Sequence, residues 1–494
     1  MHRRLACSIL QELVTVWTSQ ASAMQRSGRA GRMSEGICWR LFSEEFFNDV
    51  MIPQSAPEMV RTPLDELILQ ICLLFEQRRD ENISKAETSL PLGVRPVQFL
   101  SKTPSPPPER SLLEGCRHLL EVDALHVVGA SSNSTGEASY LYRLTPLGYH
   151  LSRLPMDTKV GKVLIVGCIL GCLDGALTVA AALSCTKSCF CSLNPSNPEN
   201  TAIVQHRSSL IENGFGGRSW AGGTVKGDLI AVIAAFRCWK KQESEGKRWK
   251  MVKSHGLDMT TLKDMDQLRS QFMQLLQDVG FVPKRSTASE MNSCLDLVLE
   301  DCNQSSEDAL LTSCCLIGGL YPNICTLMRP RKGGPRGGRL LTKEGHVCRA
   351  QRNSFQSKRI QQAAEVGRDA YAVFHAKQKT IGTSNLSSSA PDIFLTEVNF
   401  VSRFALMLFG GELQIVKNAV IVDDWLKFKI CSRDDDDDVK AIENAVLIFS
   451  LREALDKVIV EHIQEVNACR EQKQVMMERH KAIVQVVRKL LSEE

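Results

Sequence analysis

Three things are scarce in this 494-residue chain. It has little excess charge: 60 Lys/Arg against 56 Asp/Glu leave a formal +4, too small to make the whole molecule a polyelectrolyte. It has no apolar run long enough to cross a bilayer. The best candidate, "VLIVGCILGCLDGALTVAAALS" (Val163–Ser184), is divided by Asp174-Gly175 into two pieces, each too short to span. It reads as a buried helix pair broken at that Asp-Gly, and no membrane partner is expected. Paired CxxC spacing is also missing. The 18 cysteines are scattered irregularly along a long chain, and nothing in Met1–Gln20 resembles a secretory signal. That excludes a disulfide framework and points to reduced intracellular thiols. The densest group, "CTKSCFC" (Cys185, Cys189, Cys191), has no well-placed histidine. Buried small hydrophobes fit it better than a zinc site.

What is present begins with "QRSGRAGR", residues 25–32. Arg26, Arg29 and Arg32 recur every third residue, and Gly28 and Gly31 stand between them. On a turn of helix that spacing gathers the arginines roughly on one side. Guanidinium forks match phosphate oxygens. The glycines permit close backbone approach and φ > 0. The stretch looks built to meet phosphate; the competing reading is a solvated basic turn. Charge is also unevenly placed. Arg329 to Thr380 holds 13 Lys/Arg against 3 acids, a local +10 that leaves the rest of the chain at −6. A polyanion partner is one reading. The other is a basic loop, above all in "RPRKGGPRGGR" (Arg329–Arg339), whose Gly/Pro content resists folding.

The length demands several cores. "RTPLDELILQICLLFEQ" predicts a helix with Thr62 as N-cap, Pro63 at N1 and Asp65 at N3. After the rigid "PSPPPER" (Pro104–Arg110) come a helix over Ser111–Glu121, a strand, a Gly/Ser turn, a strand over Tyr140–Leu144, and a helix opened by Thr145-Pro146. That order makes a winged helix. Met156 to Val282 reads as helical throughout. Beyond Tyr321-Pro322 the period becomes two: in "WLKFKI", Leu426, Phe428 and Ile430 face one way and Lys427 and Lys429 the other. "FALMLFGGELQIV" and "NAVIVDDW" supply further strands, and a small barrel of the OB type is expected. "DDDDD" (Asp434–Asp438) reads as a solvated loop, and Leu451–Leu491 as one or two amphipathic helices.

"WTSQASAMQRSGRAGRMSEGICWRLFSEEFF" resembles motif VI and its surroundings in DEAH-box (DEAH/RHA-type, DExH) RNA helicases: Gln25, Arg26, Gly28, Arg29, Ala30, Gly31 and Arg32 all fit. "PEMVRTPLDELILQI" is similar to the start of that family's winged helix. "LTPLGYHLSRLPMDTKVGKVLIVGCILGCLDGALTVAAALS" is similar to the wing helix running into the ratchet-like helicase-associated domain. "LIGGLYPNI" and "NFVSRFALMLFGG" resemble the entry and core of the OB-like domain. The likeness covers nearly the whole chain and points to the large cytoplasmic DExH helicases with extra N-terminal RNA-binding modules.

The resemblance implies a multidomain α+β protein. Residues 1–58 would be the end of a second RecA-like lobe, 59–156 a winged helix, and 157–285 a helical ratchet-like bundle. Residues 286–430 would be an OB-like β-barrel and 431–494 C-terminal helices. It implies arginine fingers at Arg29 and Arg32, with Gln25 ordering phosphate and attacking water. Arg26 and Gly28 would complete the ATP-binding set. It implies RNA contacts at Lys377, Lys379 and Thr380 of "KQKT" and, in "RAQRNSFQ" (Arg349–Gln356), at Arg349 and Arg352. The family's His-Pro-Ser-Ser-type pattern is absent from that last stretch. ATP and Mg²⁺ would serve the complete helicase, with none bound by this chain alone, because it has no GxxxxGK[ST] loop and no DExH segment. "DELI" at Asp65 falls downstream of motif VI and is not that segment. The implied partners are single-stranded or structured RNA, N-terminal RecA-like lobes, and ribonucleoprotein or ribosome-associated assemblies. The implied location is the cytoplasm, with the nucleus as alternative. Three functions are open: the C-terminal portion of an ATP-dependent 3′→5′ RNA helicase, a non-enzymatic RNA-binding protein derived from one, and an unrelated DNA-binding winged-helix regulator.

Overall fold

The computed structural model describes residues 2–6, 10–15, 17–84, 93–132, 138–193, 199–213, 227–282, 303, 305, 308–328, 338–351, 353–366, 369–379, 393–416, 419–429, 438–464 and 470–492. Helices and sheets are mixed, and the chain divides into two compact units. One comprises Met1–Leu120, His126–Arg143 and Lys377–Asp392. The other comprises Glu121–Leu125, Leu144–Ala376 and Ile393–Glu494.

The first unit opens with an antiparallel hairpin, β1 (His2–Ala6) and β2 (Leu10–Thr15). Helix α1 (Gln20–Ser27) follows, then a single wide turn over Phe46–Val50. Helices α2 (Asp65–Ser84), α3 (Pro96–Leu100) and α4 (Glu109–Glu121) come next, with a second hairpin of β3 (Leu125–Ser132) and β4 (Ala138–Leu144). Val94 adds a bridge to Tyr142 at the edge of that hairpin. Gly115 lets α4 close on α2, since a Cβ there would lie 2.9 Å from the Ile68 side chain. Two side-chain contacts lock the elements: His118 Nδ1 lies 2.8 Å from Asp65 Oδ2, and Arg143 pairs with Glu76 at 2.8 and 3.2 Å. Thr62 is not the cap expected of it. Its hydroxyl donates to the Glu58 carbonyl, and the first α2 bond runs from Ile68 N to Leu64 O. A tight turn over Glu58–Val60 had already claimed the threonine.

In the second unit α5 (Pro146–Ser152) starts at Thr145, whose hydroxyl accepts from Gly148 N at 2.9 Å. Then come α6 (Thr158–Ile169), α7 (Leu173–Ser184), α8 (Glu199–Asn213), α9 (Asp228–Lys240), α10 (Glu245–His255) and α11 (Met259–Val279). Caps are explicit: the Ser244 and Asp258 side chains accept from Lys247 N and Thr261 N in the first turns of α10 and α11, and left-handed Gly256 and Gly280 end them. The core lies where α6 meets α7 and α12 (Ala309–Leu320). A Cβ on Gly319 would fall 2.7 Å from the Val163 Cα, so only glycine allows this approach.

The α6–α7 break does not fall at Asp174-Gly175. It falls at Leu170–Cys172, where Gly171 takes φ +68°. Asp174 sits in the first turn of α7, where arginines neutralise it: Arg237 Nε at 2.9 Å from Oδ2 and Arg269 Nη2 at 2.7 Å from Oδ1. Burial pushes the Asp174 carboxyl up, and the two arginines outweigh that and hold it below the usual carboxylate range. The "CTKSCFC" cysteines part company: Cys189 is buried, Cys185 half-buried and Cys191 exposed. No group of three or more His, Cys, Asp or Glu among the described residues could hold a metal. No helix among them is long and apolar enough to cross a membrane.

The strands of the second unit are short: β5 (Ile324–Leu327), β6 (Leu340–Thr342), β7 (Val347–Ala350), β8 (Tyr371–Val373), β10 (Ile393–Thr396) and β11 (Asn399–Val401). They run in the order β10-β7-β6-β5-β8-β11, with β10 parallel to β7 and the rest antiparallel. Helix α13 (Ser357–Val366) packs Ile360 and Ala364 into the sheet's core. Among the described residues this is an open sheet, not the closed barrel expected. Its β11 edge is capped instead: Gly227 bridges Asn399, and Asp228 N donates to Val398 O at 3.0 Å. "FALMLF" departs from expectation too. It is helix α14 (Arg403–Phe409), started by Ser402 and wholly buried over Ala405–Phe409. A continuous apolar run has no period to separate helix from strand. A second sheet of β12 (Leu413–Val416), β13 (Ala419–Val422) and β14 (Leu426–Lys429) follows. In β14, Leu426 and Phe428 are buried and Lys427 and Lys429 exposed, as the alternation requires. Ile430 lies outside the described residues, as do residues 434–437 of the acidic run. Two helices close the chain, α15 (Asp438–Gln464) and α16 (Arg470–Ser492).

Candidate functional site

Helix α1 is anchored at one end and exposed at the other. Buried Ser19 caps it, its hydroxyl accepting from Ser22 N and from the Ser55 hydroxyl at 3.0 Å. Gln20 N donates to Ile52 O at 2.9 Å, and the Gln20 amide donates to Phe47 O at 2.6 Å. At the other end Gln25, Arg26, Arg29 and Arg32 are all exposed. The helix ends in tight bonds, Arg29 N to Arg26 O and Ala30 N to Ser27 O, both 3.1 Å. So Arg26 is helical, Arg29 rides the closing turn, and Arg32 follows it; the three do not share one helical face. Neither Arg29 nor Arg32 has a side-chain partner among the described residues.

The glycines do not do what their permissiveness allows. Gly28 has φ −65°, and Gly31 is not left-handed. A Cβ at Gly31 would meet nothing within 4 Å. The tight position is Gly36, where a Cβ would lie 2.8 Å from Ala30 O. Among the described residues nothing requires glycine at 28 or 31, which leaves open backbone beside two guanidiniums that have no partner among those residues. That arrangement fits a phosphate group approaching closely. Downstream, Met33, Ile37, Trp39 and Leu41 are 99, 78, 84 and 98% exposed, an apolar run of the kind that marks a contact surface.

Arg349 stands exposed on β7, beside buried Cys348. Strand β9 (Ala376–Lys379) carries Lys377 and Lys379, its backbone paired with Leu10–Glu12 of β2. Lys377 is only 2% exposed, so it is not the surface phosphate contact expected. Successive side chains alternate across a strand, and here exposed Gln378 takes the outer face. Lys379 is half-buried. Arg352 and Thr380 lie outside the described residues, as do residues 329–337 of the Gly/Pro-rich basic stretch.

One residue that the sequence reading missed organises the neighbourhood of "RNSF". Asp228 opens α9, and its Oδ1 accepts from Ser354 Oγ at 3.0 Å and Phe355 N at 2.8 Å. Its Oδ2 accepts from Val398 N at 2.9 Å. Asn399 Oδ1 accepts from Leu229 N at 2.9 Å, and Phe355 packs edge-on against Phe190 at 4.7 Å. Burial raises the Asp228 carboxyl, against the pull of these hydrogen bonds. Glu397 beside it is raised further, first by burial and then by the Asp228 charge. The only signal in the sequence was an acid at the head of an apolar helix, "GDLIAVIAAF".

Residues 157–250 match the family described as helicase associated domain (HA2), ratchet-like. The putative ATP-dependent RNA helicase DHX57 of Mus musculus is 28% identical over 484 residues, which is 92% of this chain and 30% of that protein. The ATP-dependent DNA/RNA helicase DHX36 of Bos taurus is 27% identical over 459 residues, 91% of this chain and 37% of that protein. The DExH-box ATP-dependent RNA helicase DExH1 of Arabidopsis thaliana is 30% identical over 408 residues, 81% of this chain and 33% of that protein. The chain spans about a third of the length of these curated relatives.

Proposed function

We propose that this chain, which belongs to the DEAH/DExH-box ATP-dependent RNA helicases through the C-terminal portion of that family, is the RNA-engaging and phosphate-sensing part of a 3′→5′ translocating enzyme. The observation that carries the reading is the company kept by Arg29 and Arg32. Two exposed guanidiniums without partners among the described residues are followed within ten residues by four exposed apolar side chains. The charge suits a phosphate, and the apolar run suits the packing of a RecA-like lobe. In the assembled helicase, ATP with Mg²⁺ supplies the transferable phosphoryl group. Arg29 and Arg32 then meet the charge that develops on it, their backbone held in advance by the Ser19 and Gln20 anchors. Gln25 orients the attacking water, and Arg26 and Gly28 border the phosphates. Arg349, Arg352, Lys379 and Thr380 contact single-stranded RNA; beside Arg349, the Asp228 carboxylate holds the Ser354 hydroxyl and the Phe355 backbone N–H. The site of action is cytoplasmic.

The test uses the purified chain with RNA and Mg·ATP. Alone it should release phosphate only at background. Mixed with separately expressed RecA-like lobes of a relative it should release phosphate in an RNA-dependent way. RNA-stimulated turnover by the chain alone, surviving loss of both Arg29 and Arg32, would sink the reading. RNA binding with no turnover under any complementation would favour a non-enzymatic RNA-binding protein.

A further inference from the structure

Helix α10 carries a surface that nothing above uses. Residues 240–255 read "KKQESEGKRWKMVKSH", six Lys/Arg against two acids. The acids are engaged: Glu243 pairs with Lys247 at 2.8 Å, and Glu245 with Lys263 at 3.3 Å. Lys240 is held by Asp266 at 2.7 Å, and Arg248 lies over the Trp239 ring at 5.1 Å. That leaves Lys241, Lys250 and Lys253, all exposed and without an ion pair among the described residues. Trp249 stands among them, 59% exposed. Met251 and Val252, the next apolar residues of the helix, are buried. A core-facing role for the indole is therefore already filled by its neighbours.

The spacing puts Gly246, Trp249, Lys250 and Lys253 on one face of the helix. A Cβ at Gly246 would meet nothing within 4 Å, so the approach to the indole from the preceding turn is open. Serine 244 and left-handed Gly256 cap the two ends, and buried Met251 and Val252 seat the helix on the unit below. The face is thus rigid. A flat aromatic ring flanked by lysines that have no acidic partner among the described residues has the composition of a single-strand platform: bases stack on the ring and phosphates sit on the ammonium groups. An aliphatic partner would not call for unpaired lysines, and a double helix could not reach an indole with its stacked bases.

We propose that the α10 face built from Trp249, Lys250 and Lys253 is a second single-stranded RNA contact, separate from the strand residues assigned above. It rests on the reading of the chain as RNA-binding. The experiment is fluorescence anisotropy of a labelled uridine oligomer with the full chain across a salt series. Trp249→Ala should weaken binding on the order of tenfold with the salt slope unchanged, as loss of one stacked base does. The double variant Lys250→Ala/Lys253→Ala should make the slope of log K against log salt shallower by about 1.4, two phosphates at about 0.7 each. Lys247→Ala, which removes a lysine already in an ion pair, should change neither. All three side chains of the platform are exposed, so melting temperatures should match the wild type. A wild-type chain that binds RNA while both platform variants bind it with the same affinity and slope overturns the inference and leaves the RNA reading standing. A wild-type chain that binds no RNA overturns that reading and the inference with it. Retained RNA binding with lost binding to polyglutamate would overturn it too, and assign the face to an acidic polypeptide.

Discussion

The Asp228 carboxylate accepts the Phe355 backbone N–H at 2.8 Å across 127 residues of sequence. The same carboxylate holds Ser354 and Val398, so one buried acid ties the head of α9 to two loops. Asp228→Ala should strip three buried donors of their acceptor. A loss of about 3 kcal/mol in stability is expected, at roughly 1 kcal/mol or more per abandoned donor. Asp228→Asn keeps one acceptor oxygen and should lose less. Urea denaturation of the two variants checks the order; equal losses would mean the hydrogen bonds are not what the carboxylate supplies.

Glu397 gives the same neighbourhood a pH dependence. Its folded-state pKa is raised from 4.5 to about 8 by burial and by Asp228. Between those values the folded chain holds a proton that the unfolded chain releases, so stability is greatest below pH 4.5 as far as this group is concerned. It then falls as pH rises through 8. Glu397→Gln, which cannot ionise, should flatten the fall by up to about 1 kcal/mol per pH unit. Thermal melts from pH 5.5 to 8.5 on both forms make the comparison. A wild type whose stability rises over that range would refute it.

Asp174 is the opposite case, a buried acid held ionised by two arginines. Removing it leaves Arg237 and Arg269 confronting each other without a counter-charge. Asp174→Ala should cost about 3–5 kcal/mol, the usual toll for breaking a buried pair from one side. Arg269→Ala should be comparably damaging, since Arg269 also donates to the Asp174 carbonyl at 2.7 Å and lies over Phe236 at 4.8 Å. Neither loss should vary with salt, because the network is shielded from solvent. A double variant no worse than either single would confirm that the two residues act together.

For the helicase assembled with its lobes, Arg29→Ala or Arg32→Ala should lower kcat by on the order of 10³ or more while RNA affinity stays near that of the parent. Steady-state turnover and anisotropy on the same preparations separate the two effects. Parallel losses in both would move these arginines from the phosphate to the nucleic acid.

Periodic stretches were legible in the sequence. "WLKFKI" announces its buried and exposed faces, and Thr145-Pro146 announces a helix start, because each carries a local physical signal. "FALMLF" carries none: an unbroken apolar run is compatible with either element, and only Ser402 ahead of it and the tertiary packing decide for helix. Asp174-Gly175 looked like a chain break because a charged residue next to glycine usually faces water. The two arginines that make it a core pair lie 63 and 95 residues away. At the candidate site, the exposure of Gln25, Arg29 and Arg32 follows from their polarity. The inward turn of Lys377 does not, because a four-residue strand fixes its facing through its neighbours and not through its own composition.

The bridge from Gly227 to Asn399 has one more implication. A Cβ at Gly227 would overlap the Asn399 side-chain oxygen, so the run-in to α9 lies directly against β11. Helical and strand-rich stretches of the second unit are thereby joined by one hydrogen-bonded seam, although they read as separate blocks along the chain. Structures welded in this way melt together. In a calorimeter the second unit should absorb heat in one peak, and proteolysis aimed at liberating its strand-rich stretch should yield insoluble fragments with a raw sheet edge in place of a smaller folded domain.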